Sequence, residues 1–404
     1  MIKSSNLLTN VKYEIRGPLA KRAHELEIKG YEVISLNIGN PGLYGFRTPE
    51  NMRLAMIENL ESSEAYCDQK GVFPAREAIV MQQQERGLDS INADRVFIGN
   101  GVSELIDLTL RALLNPGDEV LVPSPDYPLW SAATFLNGGV PVYYPCPKSL
   151  NYSPDVDTMS SLVGKKTRAI VLINPNNPTG AVYDKDTLLA ISNIARKNGL
   201  IILSDEIYDQ MTYPGESFVP IAPFCPDIPC ATFSGLSKVY RACGYRVGWA
   251  SFSGSDDSLT DLLASMDLLA ALRLCSNVPG QWAVQTALGG TQSIKEICAP
   301  GGRLYKTRNI VTDLVTKSPY LDYIEPAGAM YAYISVDKSI FPNFDDQEFA
   351  LKLLEEEHIL IAPGSSFNVP YSDHFRITLL PEEAVIKKVF KRINRLLEKM
   401  LKSQ

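Results

Sequence analysis

Three uninterrupted apolar runs, each closing on a polar turn, set the rhythm of the chain: RVFIG before Asn100, RAIVLI before Asn174 and GLIIL before Ser204. Apolar runs of this length without alternation are the pattern of strands buried on both faces. Between them the period becomes helical. From 103 to 114 a serine and a glutamate open a segment in which Leu105, Ile106, Leu108, Leu110, Leu113 and Leu114 recur at helical spacing, and Asn115, Pro116 and Gly117 stop it. A further strand, EVLVP, leads into the turn-rich SPDYP, and 184–198 reads as an amphipathic crossover helix. This alternation predicts an α/β unit around a mainly parallel sheet. In such open sheets ligands bind at the carboxyl ends of the strands, where the polar turns of this chain fall.

The pattern changes toward the C-terminus. A helix over 346–358, a strand at HILIAP, another at HFRITLL and a basic-tinged helix over 381–402 predict a smaller α+β unit. At the other end, a polar arm precedes a helix over 18–29 that Pro18 starts and Gly30 ends. These elements divide the chain into an arm and helix (1–34) that packs with the small unit, a large domain (35–280) and a small C-terminal domain (281–404). With no repeat, low-complexity linker or charge block, the units are expected to pack closely.

Composition narrows the function. With 404 residues, 45% hydrophobic and 21% charged, the chain is long enough for two or three domains and a sizeable core. Its 39 Lys+Arg against 46 Asp+Glu give a net charge of −7, which excludes an electrostatically driven binder of nucleic acid or anionic membranes. No apolar run approaches the roughly 20 residues of a membrane-spanning helix, and MIKSSNLLTNVKYEIRGP lacks the apolar stretch of a signal peptide, so a cytoplasmic protein is expected. The seven cysteines are scattered and never spaced CxxC, and three histidines are too few for a histidine-rich centre. No metal site is expected.

Four motifs carry the chemistry: NPNNPTG (174–180), SDEIYD (204–209), SGLSK (234–238) and YRVGW (245–249), each after a strand or tight turn. In order and spacing, with FRIT near the end, they resemble the signature of the fold type I pyridoxal-phosphate aminotransferases. The flanking sequence, from about Val11 to the C-terminal helix, resembles the bacterial alanine (glutamate–pyruvate) members of that family. The resemblance implies a large domain with a mostly parallel seven-stranded sheet sandwiched by helices and a smaller α+β domain. It implies pyridoxal 5′-phosphate as cofactor and ping-pong exchange of the amino group between L-alanine and 2-oxoglutarate, as in alanine biosynthesis. It also implies a homodimer with shared active sites.

A pyridoxal enzyme needs a lysine that condenses with the cofactor aldehyde and later shuttles the α-proton. Lys238 is the candidate, with Ser237 among small neighbours that permit close approach, whereas Lys165 and Lys166 sit in a charged turn. A carboxylate must keep the ring nitrogen protonated, and Asp205, at the end of GLIIL, matches. Asn177 and Tyr208 match the donors to the cofactor's 3′ oxygen, and Tyr127 the aromatic stacked on its ring, with Trp130 as competitor. GNGVSE opening a helix offers amides for the phosphate at Val102 and Ser103, and Arg246 matches the phosphate arginine. By the same resemblance Tyr66 reaches the phosphate across the dimer interface. Arg376 matches the clamp on the substrate's α-carboxylate, with the Gly39 amide and Asn177 beside it. Tyr13 and Arg16 lie on the N-terminal arm, which the resemblance implies closes over the substrate, and Arg16 is nominated to meet the glutamate side chain.

Rivals remain within and outside this scaffold. They are an aminotransferase for aromatic, branched-chain or diaminopimelate donors, a C–S β-lyase, and a cofactor-binding regulatory module. The last lacks a basic DNA-binding segment here. A dinucleotide dehydrogenase is disfavoured because Glu104 replaces the third glycine of GxGxxG.

Overall fold

The structure, a computed structural model, describes residues 2–12 and 17–402. After the two-residue strand β1 (Ile34–Ser35) come β2 (Val96–Gly99), β3 (Glu119–Ser124), β4 (Val140–Pro145), β5 (Thr167–Ile173), β6 (Ile201–Asp205), β7 (Cys230–Gly235) and β8 (Gly248–Ser253). These seven form one sheet in the order β2, β8, β7, β6, β5, β3, β4. Only β8 runs antiparallel to its neighbours. The three apolar runs thus lie in a sheet covered on both faces. Successive residues of a strand point to opposite faces, and the alternation sorts Ile170, Leu172 and Ile202 into one core layer and Val171, Ile173 and Leu203 into the other.

Register decides what meets at the carboxyl edge. Ile173 is opposite Asp205, and Asp205 is opposite Phe233, so the turns carrying Asn177, Tyr208 and Lys238 leave the sheet side by side. The helix Val102–Leu113 buries Leu105, Ile106, Leu108 and Leu110, and begins one residue before the predicted start. Its N-cap is Gly101, at φ +84°, and Glu104 reaches back to accept from the Asn100 amide at 2.6 Å. The glutamate of the predicted capping pair is therefore used, with Gly101 rather than Ser103 at the cap.

The C-terminal strands are β9 (Leu321–Tyr323), β10 (Tyr331–Val336), β11 (Ile359–Leu360), β12 (Ala362–Pro363) and β13 (His374–Thr378). An antiparallel sheet orders β12, β13, β10, β9, and β11 pairs in parallel with β1. HILIAP, predicted as one strand, therefore serves two sheets. All of Ile359, Leu360, Ile361 and Ala362 are buried, so its pattern does not favour a single partner strand. The helix Pro18–Ile28 rests on the helix Asp346–Glu357, while Ala283–Gly289 packs on Glu50–Glu58 and Phe73–Glu85. The terminal helix Glu383–Lys402 buries Ile386, Val389, Phe390, Ile393 and Leu397 along one stripe. No helix among the described residues is long and apolar enough to cross a membrane.

Candidate active site

Where the strand ends of the large sheet face the small one there is a cavity of about 760 Å³. Gly39, Val102, Ser103, Tyr127, Asn177, Asp205, Tyr208, Ser237, Lys238, Arg246 and Arg376 all line it. Tyr66 does not, and is 77% exposed on the surface of its own chain. Tyr13 and Arg16 lie outside the described residues.

On the cavity floor Asp205 is 3% exposed, and burial pushes its carboxyl up to about 6 despite bonds from Trp130 Nε1 (3.2 Å) and the Ile207 amide (3.3 Å). A carboxylate held this far from water favours a cation beside it. Trp130 therefore buttresses Asp205, and Tyr127 alone of the two aromatics lines the cavity. Lys238 Nζ donates to the Gly39 carbonyl at 2.7 Å, which sets the amine beside the segment expected to meet the substrate. Tyr208 is buried, which raises its phenol well above the ordinary value, and its oxygen lies 3.1 Å from that of Tyr331.

At one end the helix beginning at Val102 presents its first amides next to Arg246. A Cβ on Gly101 would strike the Arg246 guanidinium, and one on Gly248 would strike the Val102 amide, so only glycines let cation and helix start approach this closely. Arg246 is tied to the Asn100 and Cys243 carbonyls at 3.1 and 2.9 Å, and Asn277 bonds both Asn100 and the Arg246 carbonyl. Helix-start amides with a guanidinium make an anion site.

At the other end Arg376 is 1% exposed, with no carboxylate in ion-pair reach among the described residues. Asp373, its nearest acidic neighbour in sequence, bonds His374 instead at 2.7 Å. Arg376 donates to Asn177 Oδ1 at 2.7 Å and to the Asn37 carbonyl, its Nε is buried without a partner among the described residues, and its guanidinium lies 4.2 Å from the Tyr331 ring and 4.9 Å from that of Phe367. A buried cation held only by neutral groups is set up to receive an anion. Asn177, whose Oδ1 accepts from Arg376, lines the cavity and carries Nδ2 as a donor.

An anion site at one end, a buried cation at the other and a lysine amine beside a buried carboxylate between them describe a site for amino-group chemistry. Residues 31–393 match the family "Aminotransferase class I and II". The chain belongs to the class I and II aminotransferases. The chain is 47% identical over 380 residues to the glutamate-pyruvate aminotransferase AlaA of Escherichia coli, covering 94% of each. Its fold superposes on an E. coli aminotransferase with a TM-score of 0.97 at 45% identity, covering 98% of each chain. An alanine aminotransferase from Pyrococcus furiosus matches at a TM-score of 0.92 and 35% identity over all of both chains.

The family's cofactor is pyridoxal 5′-phosphate, and its substrates are amino acids and 2-oxo acids. The residues present fit it. The glycine-crowded helix start with Arg246 suits the phosphate, the buried Asp205 suits a protonated ring nitrogen, and Lys238 suits the aldehyde. Sequence reasoning missed Trp130's hold on Asp205, the Asn37 carbonyl and, above all, Tyr331. Tyr331 sits in an apolar strand, AMYAYISV, whose pattern reads as core.

Proposed function

We propose that this aminotransferase moves the amino group between L-alanine and 2-oxoglutarate, giving pyruvate and L-glutamate reversibly in two half-reactions. The observation that carries the reading is Arg376, a buried guanidinium with no carboxylate partner among the described residues, within a cavity that also holds Lys238. It supplies the anchor that every α-amino acid shares. The substrate pair is supported by the names of the relatives, which act on alanine or on glutamate and pyruvate.

When bound, the cofactor withdraws the electrons of the substrate's Cα–H bond into its ring. In our reading Lys238 would hold the cofactor's aldehyde, and its free Nζ would accept and carry the substrate's α-proton. Asp205 holds the ring nitrogen's proton, and Asn177 Nδ2 and Tyr208 donate to the 3′ oxygen. Tyr127 stacks on the ring. Val102, Ser103, Ser237 and Arg246 hold the phosphate. Arg376 and the Gly39 amide orient the α-carboxylate so that the α-hydrogen faces Lys238. Tyr13 and Arg16 act from the arm, and Arg16 meets the second carboxylate of glutamate; Arg16→Ala is then expected to slow turnover of glutamate more than that of alanine. Equal loss for both would remove the selective role.

We infer a homodimer in which Tyr66 completes the partner's phosphate site. Leu54, Ile57, Leu60, Tyr66, Phe73, Leu268 and Leu272 are exposed, and the Gln69–Asp267 hydrogen bond of 3.1 Å ties two of the segments that carry them. Such an apolar surface favours a protein partner. The seven unbridged cysteines suit a reducing cytoplasm. We divide the chain at 1–34, 35–280 and 281–404; the large sheet lies within the second part and the antiparallel sheet within the third.

The test is the visible spectrum of the purified holoenzyme. L-Alanine alone should abolish the band of the bound aldehyde form, and 2-oxoglutarate should restore it. A band that ignores alanine but responds to another amino acid would overturn the substrate pair and leave the family intact.

A further inference from the structure

Tyr208 and Tyr331 meet hydroxyl to hydroxyl at 3.1 Å, with their rings edge to face at 5.9 Å, on strand-end and strand segments 123 residues apart. A phenol has one proton and can accept as well as donate. For Tyr208 to give its proton to a ligand in the cavity, its oxygen is free to accept from Tyr331. Tyr331 is 2% exposed, and no other hydrogen-bond partner for its hydroxyl is found among the described residues. Its oxygen is pressed against Gly39, where an added Cβ would collide with it, so the phenol has little freedom to turn elsewhere. A buried hydroxyl proton left unpaired is costly, and Tyr208 is the acceptor within reach.

The Arg376 guanidinium lies 4.2 Å from the centre of the Tyr331 ring and also acts on Tyr208, so its charge falls on both phenols, and the packing of the Tyr331 oxygen against Gly39 sets the direction. Tyr127 is the further titratable group that acts on Tyr208, and Asp205 and Lys238 line the same cavity. We propose that Tyr331 is a positioning residue: its hydroxyl donates to Tyr208, which commits the single Tyr208 proton to the cofactor's 3′ oxygen, while its ring holds the Arg376 clamp in place. One side chain thereby links the group that tunes the cofactor to the group that binds the substrate carboxylate. The proposal rests on the reading of Tyr208 as the 3′-oxygen donor.

The experiment compares holoenzyme of the parent, Tyr208→Phe, Tyr331→Phe and the double variant. The readout is the pH midpoint at which the bound cofactor's visible band titrates. Donors to the 3′ oxygen favour its charged form and lower that midpoint. Tyr208→Phe should raise it by about one pH unit. Tyr331→Phe keeps the ring and removes only the donor that polarises Tyr208, so it should raise the midpoint by roughly 0.1–0.3 unit, the 10–30% by which one hydrogen bond strengthens the next. The double variant should match Tyr208→Phe, because Tyr331 acts through Tyr208. Replacement of Tyr331 by 3-fluorotyrosine, a more acidic donor with the same packing, should lower the midpoint. An unshifted Tyr331→Phe beside a shifted Tyr208→Phe would overturn the proposal and leave the Tyr208 reading standing, as would additive shifts in the double variant. An unshifted Tyr208→Phe would remove the Tyr208 reading and the proposal with it. For the ring, Tyr331→Phe should keep KM for alanine within about twofold, and Tyr331→Leu, which loses the cation–π contact, should raise it several-fold.

Discussion

Asp205→Asn tests the site without any turnover, because burial and cofactor pull on this carboxylate in opposite directions. In the protein freed of cofactor, raising the carboxyl from its ordinary 3.8 to about 6 means that the folded state holds a proton over a range where the unfolded chain has released it. The sign follows. Folding is undisturbed by Asp205 below about pH 4, loses stability as pH rises between the two values, and carries the full cost above about pH 6. That full cost is about 3 kcal/mol at pH 7.5. Asparagine fills the same space and has no charge to desolvate. The variant apoprotein should therefore be the more stable one at pH 7.5, by up to about 3 kcal/mol, with the advantage shrinking by about 1.4 kcal/mol at pH 5. Urea unfolding of parent and variant apoproteins at the two pH values measures this directly, and other buried acids such as Glu206 cancel in the difference. With pyridoxal 5′-phosphate bound the order should reverse, since the variant has lost the partner of the ring nitrogen. An apoprotein variant no more stable than the parent, or an advantage independent of pH, would refute the view of Asp205 as a carboxylate kept costly for a cationic partner.

Arg376→Lys replaces a fork held between Asn177 and the Asn37 carbonyl by a point charge, and loss of one charge-assisted hydrogen bond, about 1.5–3 kcal/mol, should lower kcat/KM for alanine roughly 10- to 150-fold. Steady-state kinetics with alanine and glutamate should show the same loss for both, because both share the α-carboxylate. Gly101→Ala puts a methyl group at φ +84° against Arg246 and should weaken cofactor binding, seen as faster loss of the visible band on dilution. Tyr127→Phe should keep cofactor retention near that of the parent whereas Tyr127→Ala should reduce it, since stacking needs only the ring face; equal retention would make Tyr127 a packing residue.

What could be read along the chain was whatever short segments specify on their own. Unbroken apolar runs such as GLIIL predicted buried strands, and β6 is buried throughout. NPNNPTG, SDEIYD, SGLSK and YRVGW announced their chemistry because each sets at least one functional group in a turn at a strand end, and the sheet register brings those turns to one edge. Asp184, the first residue of the predicted crossover helix over 184–198, caps the helix Lys185–Asn198 by accepting from the Thr187 amide at 2.7 Å.

Other features depended on residues far apart meeting. Nothing near Asp205 announces that Trp130 Nε1 will bond it, and nothing in AMYAYISV separates Tyr331 from a core tyrosine until β10 lies against the strand ends of the large sheet. The Asn37 carbonyl reaches Arg376 across 339 positions of sequence, and HILIAP changes sheets where its composition does not vary. The sequence by itself determined the elements, the cofactor motifs and the kind of chemistry, because local steric preference and hydrophobic period act within a few residues. Only the tertiary structure decided which groups share a hydrogen bond and which cation stays without a counterion, because those depend on burial and register that no single segment controls.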